Sequence, residues 1–263
     1  MSATKEIHIC ADDFAESPAK SQAILQLVAE QRLTAVSCFA DAPLWKSLGP
    51  QLIDISGPVL TGLHFNLTHP LGYGEMPLIW WMLRSAVGMV NRQRIETALQ
   101  RQLDNFTSVA GRLPDFLDGH HHVHVFPVIR TVVDEWLSRL DPNGSIRVRN
   151  VADSFGATDA RLKRFVITRM ASLRRADGEG AARRLNTAFA GDYAIRPSGR
   201  YGKLFRNWLS CAPDGALIMC HPALPGEAAN PASAQEFEFL STCDLASMLA
   251  ASRCTLPRTE DHQ

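Results

Sequence analysis

The sequence predicts an α/β fold, a single-domain, distorted (β/α) barrel of the TIM-barrel type over residues 1–263. Short apolar or β-branched runs alternate with longer segments of helical period, and no repeat or low-complexity linker divides the 263 residues. An open doubly wound sheet is less favoured, because residues 11–15 follow the first apolar run without a G-x-G-x-x-G turn.

Six apolar runs have the length and composition of strands. They span residues 6–11, 35–39, 58–64, 115–119, 145–149 and 216–221. Because parallel strands bring their carboxyl ends to one end of a barrel, we expect functional side chains just after these runs.

Segments of helical period separate the runs. The clearest helix begins at Ser17 and Pro18, an N-cap followed by a proline at the first helical position, and repeats apolar residues at Ile24, Leu27 and Val28. Further helices are predicted at 95–106, 128–137, 161–173 and 244–251.

The apolar segment 76–90 contains Trp80 and Trp81, two of the five tryptophans. A core helix or the interface helix of a homodimer is the first interpretation. The alternatives are a lid over a bound sugar and a surface for a lipid-linked substrate.

Charge and composition exclude several function classes. Lys+Arg 27 balances Asp+Glu 27, so the long-range attraction that nucleic acid needs is absent and no nucleic-acid partner is expected. No run reaches the roughly 18 apolar residues of a transmembrane segment, and residues 1–10 lack the apolar part of a secretory signal. The six cysteines show no C-x-x-C spacing and are expected to be free thiols. These features predict a soluble, cytoplasmic protein.

Adjacent carboxylates, Asp12 and Asp13, follow the first predicted strand. Where the pleat breaks into a turn, both can reach one cleft, so that one could ligate a metal ion while the other accepts a proton. The alternative is that one of them caps the following helix or turn.

Histidines end two further strands. His64 ends the third predicted strand, and His221, held by Pro222, ends the last. Three strands that finish on Asp or His predict a mixed site for a divalent cation with open positions for water and substrate.

Four more histidines follow the fourth predicted strand. At the strand period of two, Asp118, His120, His122 and His124 lie on one polar face, and His121 lies on the other face as a structural histidine. Positions two apart are about 6.6 Å apart along a strand, so one of these histidines is expected to bind the metal and the others to support it or face substrate.

Four motifs resemble the YdjC-like carbohydrate deacetylases, the family that contains chitooligosaccharide deacetylase and the hopanoid-biosynthesis-associated deacetylase-like proteins. They are ADDF at 11–14, GLHFNLT at 62–68, LDGHHHVHVFP at 117–127 and MCHPA at 219–223. They come in the family's order and extend over nearly the whole chain. The resemblance implies a distorted (β/α) barrel, one divalent metal ion, Mg or Zn, and hydrolysis of an N-acetyl group on a sugar.

Motif by motif, the resemblance also implies roles for single residues. Asp13, His64 and His120 match the metal ligands, and Asp12 matches the catalytic base. His221 matches the histidine of the last motif, which implies a proton donor.

The chain departs from the family's pattern at two positions. The family usually has Asn before Ala-Asp-Asp and Gly after the Phe, where this chain has Cys10 and Ala15. The turn and the surroundings of the aspartate pair are therefore expected to differ.

Together these residues predict a metal-dependent hydrolase that removes an N-acetyl group from an acetylated amino sugar or a sugar-containing conjugate, free or lipid-linked. Asp118 is expected to orient an imidazole, and Arg149, on the same strand face as Arg147, to reach a substrate acid or phosphate or to form an ion pair on the barrel rim. The alternatives are a metal-dependent phosphoesterase and a non-catalytic binder of an acetylated sugar or lipid.

Overall fold

The computed structural model describes residues 4–55, 59–172, 183–194, 196, 199–226 and 230–257. Within them, one parallel sheet has the strand order β5-β4-β3-β2-β1-β7-β6, with β8 beside the start of β1. The strands are β1 (Lys5–Phe14), β2 (Ala35–Cys38), β3 (Leu60–Phe65), β4 (Phe116–Gly119), β5 (Arg147–Val148), β6 (Phe189–Ala190), β7 (Ala216–Cys220) and β8 (Cys254–Thr255).

Helices surround the sheet. They are α1 (Pro18–Ala29), α2 (Trp45–Ile55), α3 (Leu78–Ala86), α4 (Arg92–Ala110), α5 (Pro127–Leu140), α6 (Arg161–Ser172), α7 (Tyr201–Cys211), α8 (Pro231–Thr242) and α9 (Leu245–Ala251), with a short 3-10 segment at His120–Val125. Among the described residues, none of the helices is long and apolar enough to cross a membrane.

The predicted barrel class is confirmed, in a distorted form. Within the described residues, the outermost strands, β5 and β6, do not pair with each other. Single parallel bridges join Val148 of β5 to Arg184 and Phe189 of β6 to Ser154, two residues that lie outside the strands. These two strands are only two residues long each. The wall between them is therefore irregular, unlike the repeated strand-helix units of a regular barrel.

The sheet core explains why the apolar runs form strands. Every residue of β2 and β3 is buried, which is the pattern of parallel strands covered on both faces. Outside the sheet, Trp45 of α2 stacks on Phe106 of α4 at 5.2 Å between ring centroids. Burying each such side chain contributes about 1.5–3 kcal/mol.

The pairing of β3 with β4 positions the site. His64 lies opposite Asp118 in the register of these strands. Two residues before His64, a Cβ on Gly62 would lie 2.3 Å from the Phe116 ring, so only glycine lets the two strands pack at this distance.

All six predicted strands exist, mostly shorter than predicted, and β1 continues through the aspartate pair. The predicted helices correspond to α1, α4, α5, α6 and α9, and segment 76–90 contains α3. Residues 58 and 173, the predicted ends of a strand and a helix, lie outside the described residues. Five further elements were not predicted from the sequence: β6, β8, α2, α7 and α8.

Candidate metal centre and active site

The aspartate pair lies at the end of β1, where the strand becomes irregular. Its register with β2 shifts between Ala11 and Phe14, and Asp13 has a left-handed backbone with φ 68°. Both carboxylates are consequently buried, at 2% exposure for Asp12 and 3% for Asp13. Neither caps α1, because Ser17 accepts the hydrogen bond from the backbone N–H of Lys20.

Three potential metal ligands lie together in Asp13, His64 and His120, here called the metal-binding group because their atoms could hold one ion. Asp13 Oδ1 lies 3.3 Å from His64 Nε2 and 3.2 Å from His120 Nδ1, and the two nitrogens are 3.3 Å apart. These are the three residues that the sequence analysis expected to bind the metal.

The surroundings of Asp13 fit a divalent cation. Asp13 Oδ1 is buried and has no hydrogen-bond partner among the described residues, whereas Oδ2 pairs with Lys20 Nζ at 2.8 Å. Burial alone would raise the pKa of Asp13, but the positive charge of Lys20 and the two neighbouring imidazoles outweigh it and hold the pKa well below its usual range. A charged carboxylate oxygen without a partner therefore faces two imidazole nitrogens.

A buried carboxylate orients His64. Asp118 Oδ1 lies 2.7 Å from His64 Nδ1 and also accepts a hydrogen bond from Ser37 Oγ at 2.5 Å. Since a carboxylate only accepts, Nδ1 carries the proton and Nε2 is turned toward Asp13. Burial lowers the pKa of His64, but Asp118 and Asp13 reverse this and raise it to about 10. The acidic surroundings thus favour positive charge at Nε2, which a cation would supply.

Arg149 fixes the second aspartate. Its Nη1 and Nη2 donate to the two oxygens of Asp12 at 2.6 Å each, and Nη2 lies 2.5 Å from Asp118 Oδ2. The Arg149 side chain is fully buried. The expected ion pair is therefore confirmed, but it lies inside the barrel and not on the rim. The alternative of a substrate contact is wrong, because carboxylates engage both terminal nitrogens. Arg147, which was predicted to share a strand face with Arg149, is half-buried.

A second group of potential ligands, Asp12, His64 and Asp118, also has its atoms within 4.8 Å of one another. The guanidinium of Arg149 already binds both of these carboxylates. A cation there would meet this positive charge, so Asp13, His64 and His120 are the better candidate ligands.

The histidine segment does not continue the strand, contrary to the sequence prediction. β4 ends at Gly119, and the 3-10 segment that follows contains two left-handed residues, His121 at φ 53° and His122 at φ 59°. The predicted alternation of faces is therefore wrong beyond Gly119. The turn brings His120, and neither His122 nor His124, to the metal-binding group.

The other three histidines have separate environments. His121, predicted to be structural, is exposed and lies 2.9 Å from Thr68 Oγ1. His122 is buried but lines the cavity. His124 lies deeper, where its Nε2–H donates to the carbonyl oxygen of Arg149 at 3.1 Å and so holds the backbone of that residue.

A cavity of about 620 Å³ lies over the metal-binding group. Its lining includes Asp12, His122 and His221, with apolar side chains from α3 and α6 on its walls. His221 directly follows β7, and its backbone N–H donates to Glu236 Oε2 at 2.5 Å. Tyr193 donates to the other oxygen of Glu236, also at 2.5 Å, so the main chain at His221 is fixed from behind.

Burial keeps several cavity imidazoles neutral. It lowers the pKa of His221 to about 4 and holds that of His122 well below its usual range. Near pH 7 these rings therefore act as neutral hydrogen-bonding groups.

Three residues of this region were not predicted from the sequence. Ser37 lies within a buried strand, where a lone hydroxyl between apolar neighbours was an available signal. Lys20 follows Glu16 at helical spacing and bonds Asp13. His69 comes from the loop after β3 and lines the same cavity.

The two departures from the family's pattern are accommodated. Ala15 is fully buried with φ 71°, a conformation that favours glycine, and its N–H donates to Ser21 Oγ at 3.0 Å. Cys10 lies 3.0 Å from Arg149 Nη2 and 3.6 Å from Asp12 Oδ1. Burial raises the pKa of its thiol, so Cys10 stays uncharged in the network.

Replacing Arg149 with methionine is expected to destabilise the protein by about 3–5 kcal/mol, because Asp12 and Asp118 would remain buried without their counter-charge. Chemical denaturation measures this change. Arg92→Met is the matched control, since its ion pair with Glu135 is about half exposed (47% and 49%) and should contribute less than about 1 kcal/mol. Similar losses in both variants would contradict the prediction.

Two chitooligosaccharide deacetylases are similar in sequence. The protein of Serratia marcescens is 38% identical over 82 residues, 28% of this chain and 32% of that relative. The protein of Yersinia pestis (strain Pestoides F) is 26% identical over 172 residues, 62% of this chain and 60% of the relative. The matches thus span less than two thirds of the length of these relatives.

Solved structures with a similar fold cover nearly the whole chain. A protein of Enterococcus faecalis V583 named for cellobiose-phosphate cleavage has a TM-score of 0.70 at 18% identity, over 98% of both chains. A peptidoglycan N-acetylglucosamine deacetylase has a TM-score of 0.50 at 12% identity, over 97% of this chain and 88% of that one. At these identities the likeness concerns the fold. The family described as YdjC-like protein matches residues 6–251, so the chain belongs to the YdjC-like family.

Proposed function

We propose that this protein is a metal-dependent deacetylase that hydrolyses the N-acetyl group of an acetylated amino sugar, free or joined to a lipid. The observation that carries the proposal is one buried constellation: Asp13, His64 and His120 converge on one point, and Asp12 is held beside them under the same cavity. The names of the deacetylase relatives agree with it.

Asp13, His64 and His120 would hold the metal ion. A divalent cation bound there would lower the pKa of water and polarise the acetyl carbonyl. One carboxylate with two imidazoles favours Zn²⁺ over Mg²⁺, which prefers oxygen ligands. Three protein ligands leave positions open for water and substrate, as in catalytic zinc sites.

Asp12 is the proposed general base. Its carboxylate lines the cavity, and hydrogen bonds from the two Arg149 nitrogens hold its orientation. In this role Asp12 accepts the proton that water gives up as it adds to the acetyl carbon.

His221 is the proposed proton donor to the departing sugar amine. Because burial lowers its pKa to about 4, the ring is neutral in the free protein near pH 7 and must take up a proton during turnover. Negative charge that develops on the substrate as water adds would favour that uptake. When the C–N bond breaks, the proton that His221 took up from solvent goes to the amine nitrogen. Acetate leaves, and Asp12 returns the proton it accepted to solvent.

The cavity has the size of a small substrate. About 620 Å³ accommodates one or two sugar rings, within the usual range of ligand sites. Asp12, Asp13 and His64 of the lining are buried, whereas the apolar lining residues Leu78, Met82 and Val166 are only partly buried. This distribution suits a sugar with its acetamido group inward and an apolar substituent outward.

We place the reaction in the cytoplasm, a reducing compartment in which the free cysteines of the described chain would persist.

Acetate release tests the proposal. Zinc-loaded protein is incubated with N,N′-diacetylchitobiose, with a methyl and a dodecyl glycoside of N-acetylglucosamine, and with bis-4-nitrophenyl phosphate. We expect acetate and free amine in equal amounts from at least one sugar and no nitrophenol from the phosphodiester. Nitrophenol release alone would instead identify a phosphoesterase, and binding of a sugar without turnover would identify a binder.

His221→Ala is expected to slow deacetylation by about 10²–10⁴-fold, the usual contribution of a positioned general acid. Metal content should not change. The loss should be smaller on 4-nitroacetanilide, whose leaving amine needs less protonation, and steady-state kinetics on both substrates measures the difference. Equal losses on both would indicate a positioning role, and loss of metal would indicate a ligand.

A further inference from the structure

Exposed apolar side chains are concentrated on, or just after, two helices that contribute to the cavity lining. Nine large apolar residues are exposed in the described chain, and six of them lie on α3, just after it, or on α6. Both helices contribute residues to the cavity lining. The six residues are Ile79, Leu83, Val87, Met89, Leu162 and Phe165.

Helix α3 is apolar on three sides. Leu78 and Met82, four residues apart, line the cavity, while Trp81 is buried in the core. Ile79 and Leu83, also four residues apart, are 59% and 62% exposed. Residues at this spacing share one face of a helix, so α3 presents a second apolar face to solvent.

Helix α6 combines apolar and basic side chains on its outer face. Arg161, Phe165 and Arg169 follow one another at intervals of four, and Leu162 is adjacent to Phe165 on the helix surface. Leu162 is 77% exposed and Phe165 65%. Large apolar side chains are thus flanked by two arginines.

Charge distinguishes what this surface can bind. The range Arg161–Ser172 contains four basic residues and no acidic one, and Arg84 is the only charged residue of Leu78–Ala86. Asp192 from the loop after β6 pairs with Lys163 at 3.2 Å and approaches Arg164 at 4.0 Å. The ion pairs between described residues include neither Arg161 nor Arg169.

We propose that the outer faces of α3 and α6 dock this protein on an anionic lipid bilayer, with the cavity opening toward the membrane surface. The exposed leucine, isoleucine and phenylalanine side chains would enter the boundary between headgroups and acyl chains, while Arg161 and Arg169 would meet lipid phosphates. A second copy of the chain fits less well, because a two-fold contact through this face would bring the same arginines together. The inference concerns where the protein works and does not depend on the reaction it catalyses.

Vesicle sedimentation tests this docking without any measurement of turnover. The full chain is mixed with vesicles of phosphatidylcholine alone, or with about a third phosphatidylglycerol. We expect binding to the anionic vesicles that weakens as salt is added. The double variant Leu162→Ser/Phe165→Ser should bind at least about tenfold less. In the double variant Arg161→Gln/Arg169→Gln, vesicle affinity should fall about fivefold for each arginine removed, and binding should lose most of its salt dependence.

Matched controls remove exposed residues elsewhere. Leu113, in the loop before β4, is 40% exposed and is replaced by serine in Leu113→Ser. Arg139 on α5 is 58% exposed and is replaced by glutamine in Arg139→Gln. Both should bind vesicles like the wild type, and all variants should keep its melting temperature, because they change exposed positions.

Absence of vesicle binding by the wild type would overturn the proposal, and so would equal binding by all variants. Sedimentation velocity tests the alternative that a second copy of the chain binds this face. A dimer that Leu162→Ser/Phe165→Ser dissociates, without vesicle binding, would assign the face to self-association instead. A protein that binds vesicles but releases no acetate would leave the docking intact and reject the proposed function.

Discussion

Replacing Asp13 with alanine should empty the metal site and remove deacetylase activity. Asp13 Oδ1 is the only anionic ligand of the proposed triad, at 3.3 Å and 3.2 Å from the nitrogens of His64 and His120. Without it, two imidazoles and the Lys20 ammonium would remain at the site. A site with three protein ligands has no redundancy, so we expect affinity to fall by more than the roughly 10–100-fold that is typical when a residue behind a ligand is lost.

Elemental analysis after dialysis against a defined free zinc concentration measures occupancy. Asp118→Asn should lose affinity within that 10–100-fold range, because Asp118 acts through His64. The control is Asp104→Ala, the same substitution at an exposed position of α4. It should keep wild-type metal occupancy. Full occupancy in Asp13→Ala would remove the proposed site, whatever the enzyme assay gives.

The convergence of the candidate site residues could be predicted from the sequence because strands of a parallel barrel end on one side. Asp13, His64 and His221 all lie at or next to strand ends, and the structure brings them to one cavity. His120 was included through the family resemblance. The strand period alone did not separate it from His122 and His124.

That separation depends on backbone conformation. The left-handed φ angles of His121 and His122 end the alternation after Gly119, and histidine does not require such angles. Period-based reasoning therefore assigned His121 to the interior, where the structure has it exposed.

Ion pairs between residues far apart in the chain could not be predicted from the sequence either. Arg149 was recognised as a functional candidate, but its partners Asp12 and Asp118 come from β1 and β4. Strands β6 and β8 are two residues long each, which is too short to show a periodic pattern in the sequence. For α8 a signal was present, since Asn230 and Pro231 repeat the cap and proline arrangement of Ser17 and Pro18.

The Asp12→Asn variant is expected to keep its metal ion and lose turnover. Asparagine retains the size of the side chain and one acceptor oxygen but is not a base at neutral pH, so kcat should fall by about 10²–10⁴-fold. Its amide nitrogen would also face one nitrogen of Arg149, where Asp12 now accepts a hydrogen bond. Some loss of stability is therefore expected as well, of about 1–3 kcal/mol.

Asp41→Asn separates the two effects. Asp41 is also buried and is held by the fork of Arg101, whose Nη2 lies 2.7 Å from Oδ2, but it is not part of the cavity lining. It should show a similar loss of stability with kcat close to wild type. Metal content, denaturation and initial rates are measured for both variants at a temperature where each is folded. If Asp12→Asn keeps its metal and its kcat stays close to that of the wild type, the base is another group. If both variants lose kcat equally, the effect comes from stability, because the chemical role of Asp12 predicts a loss of turnover that its matched control does not share.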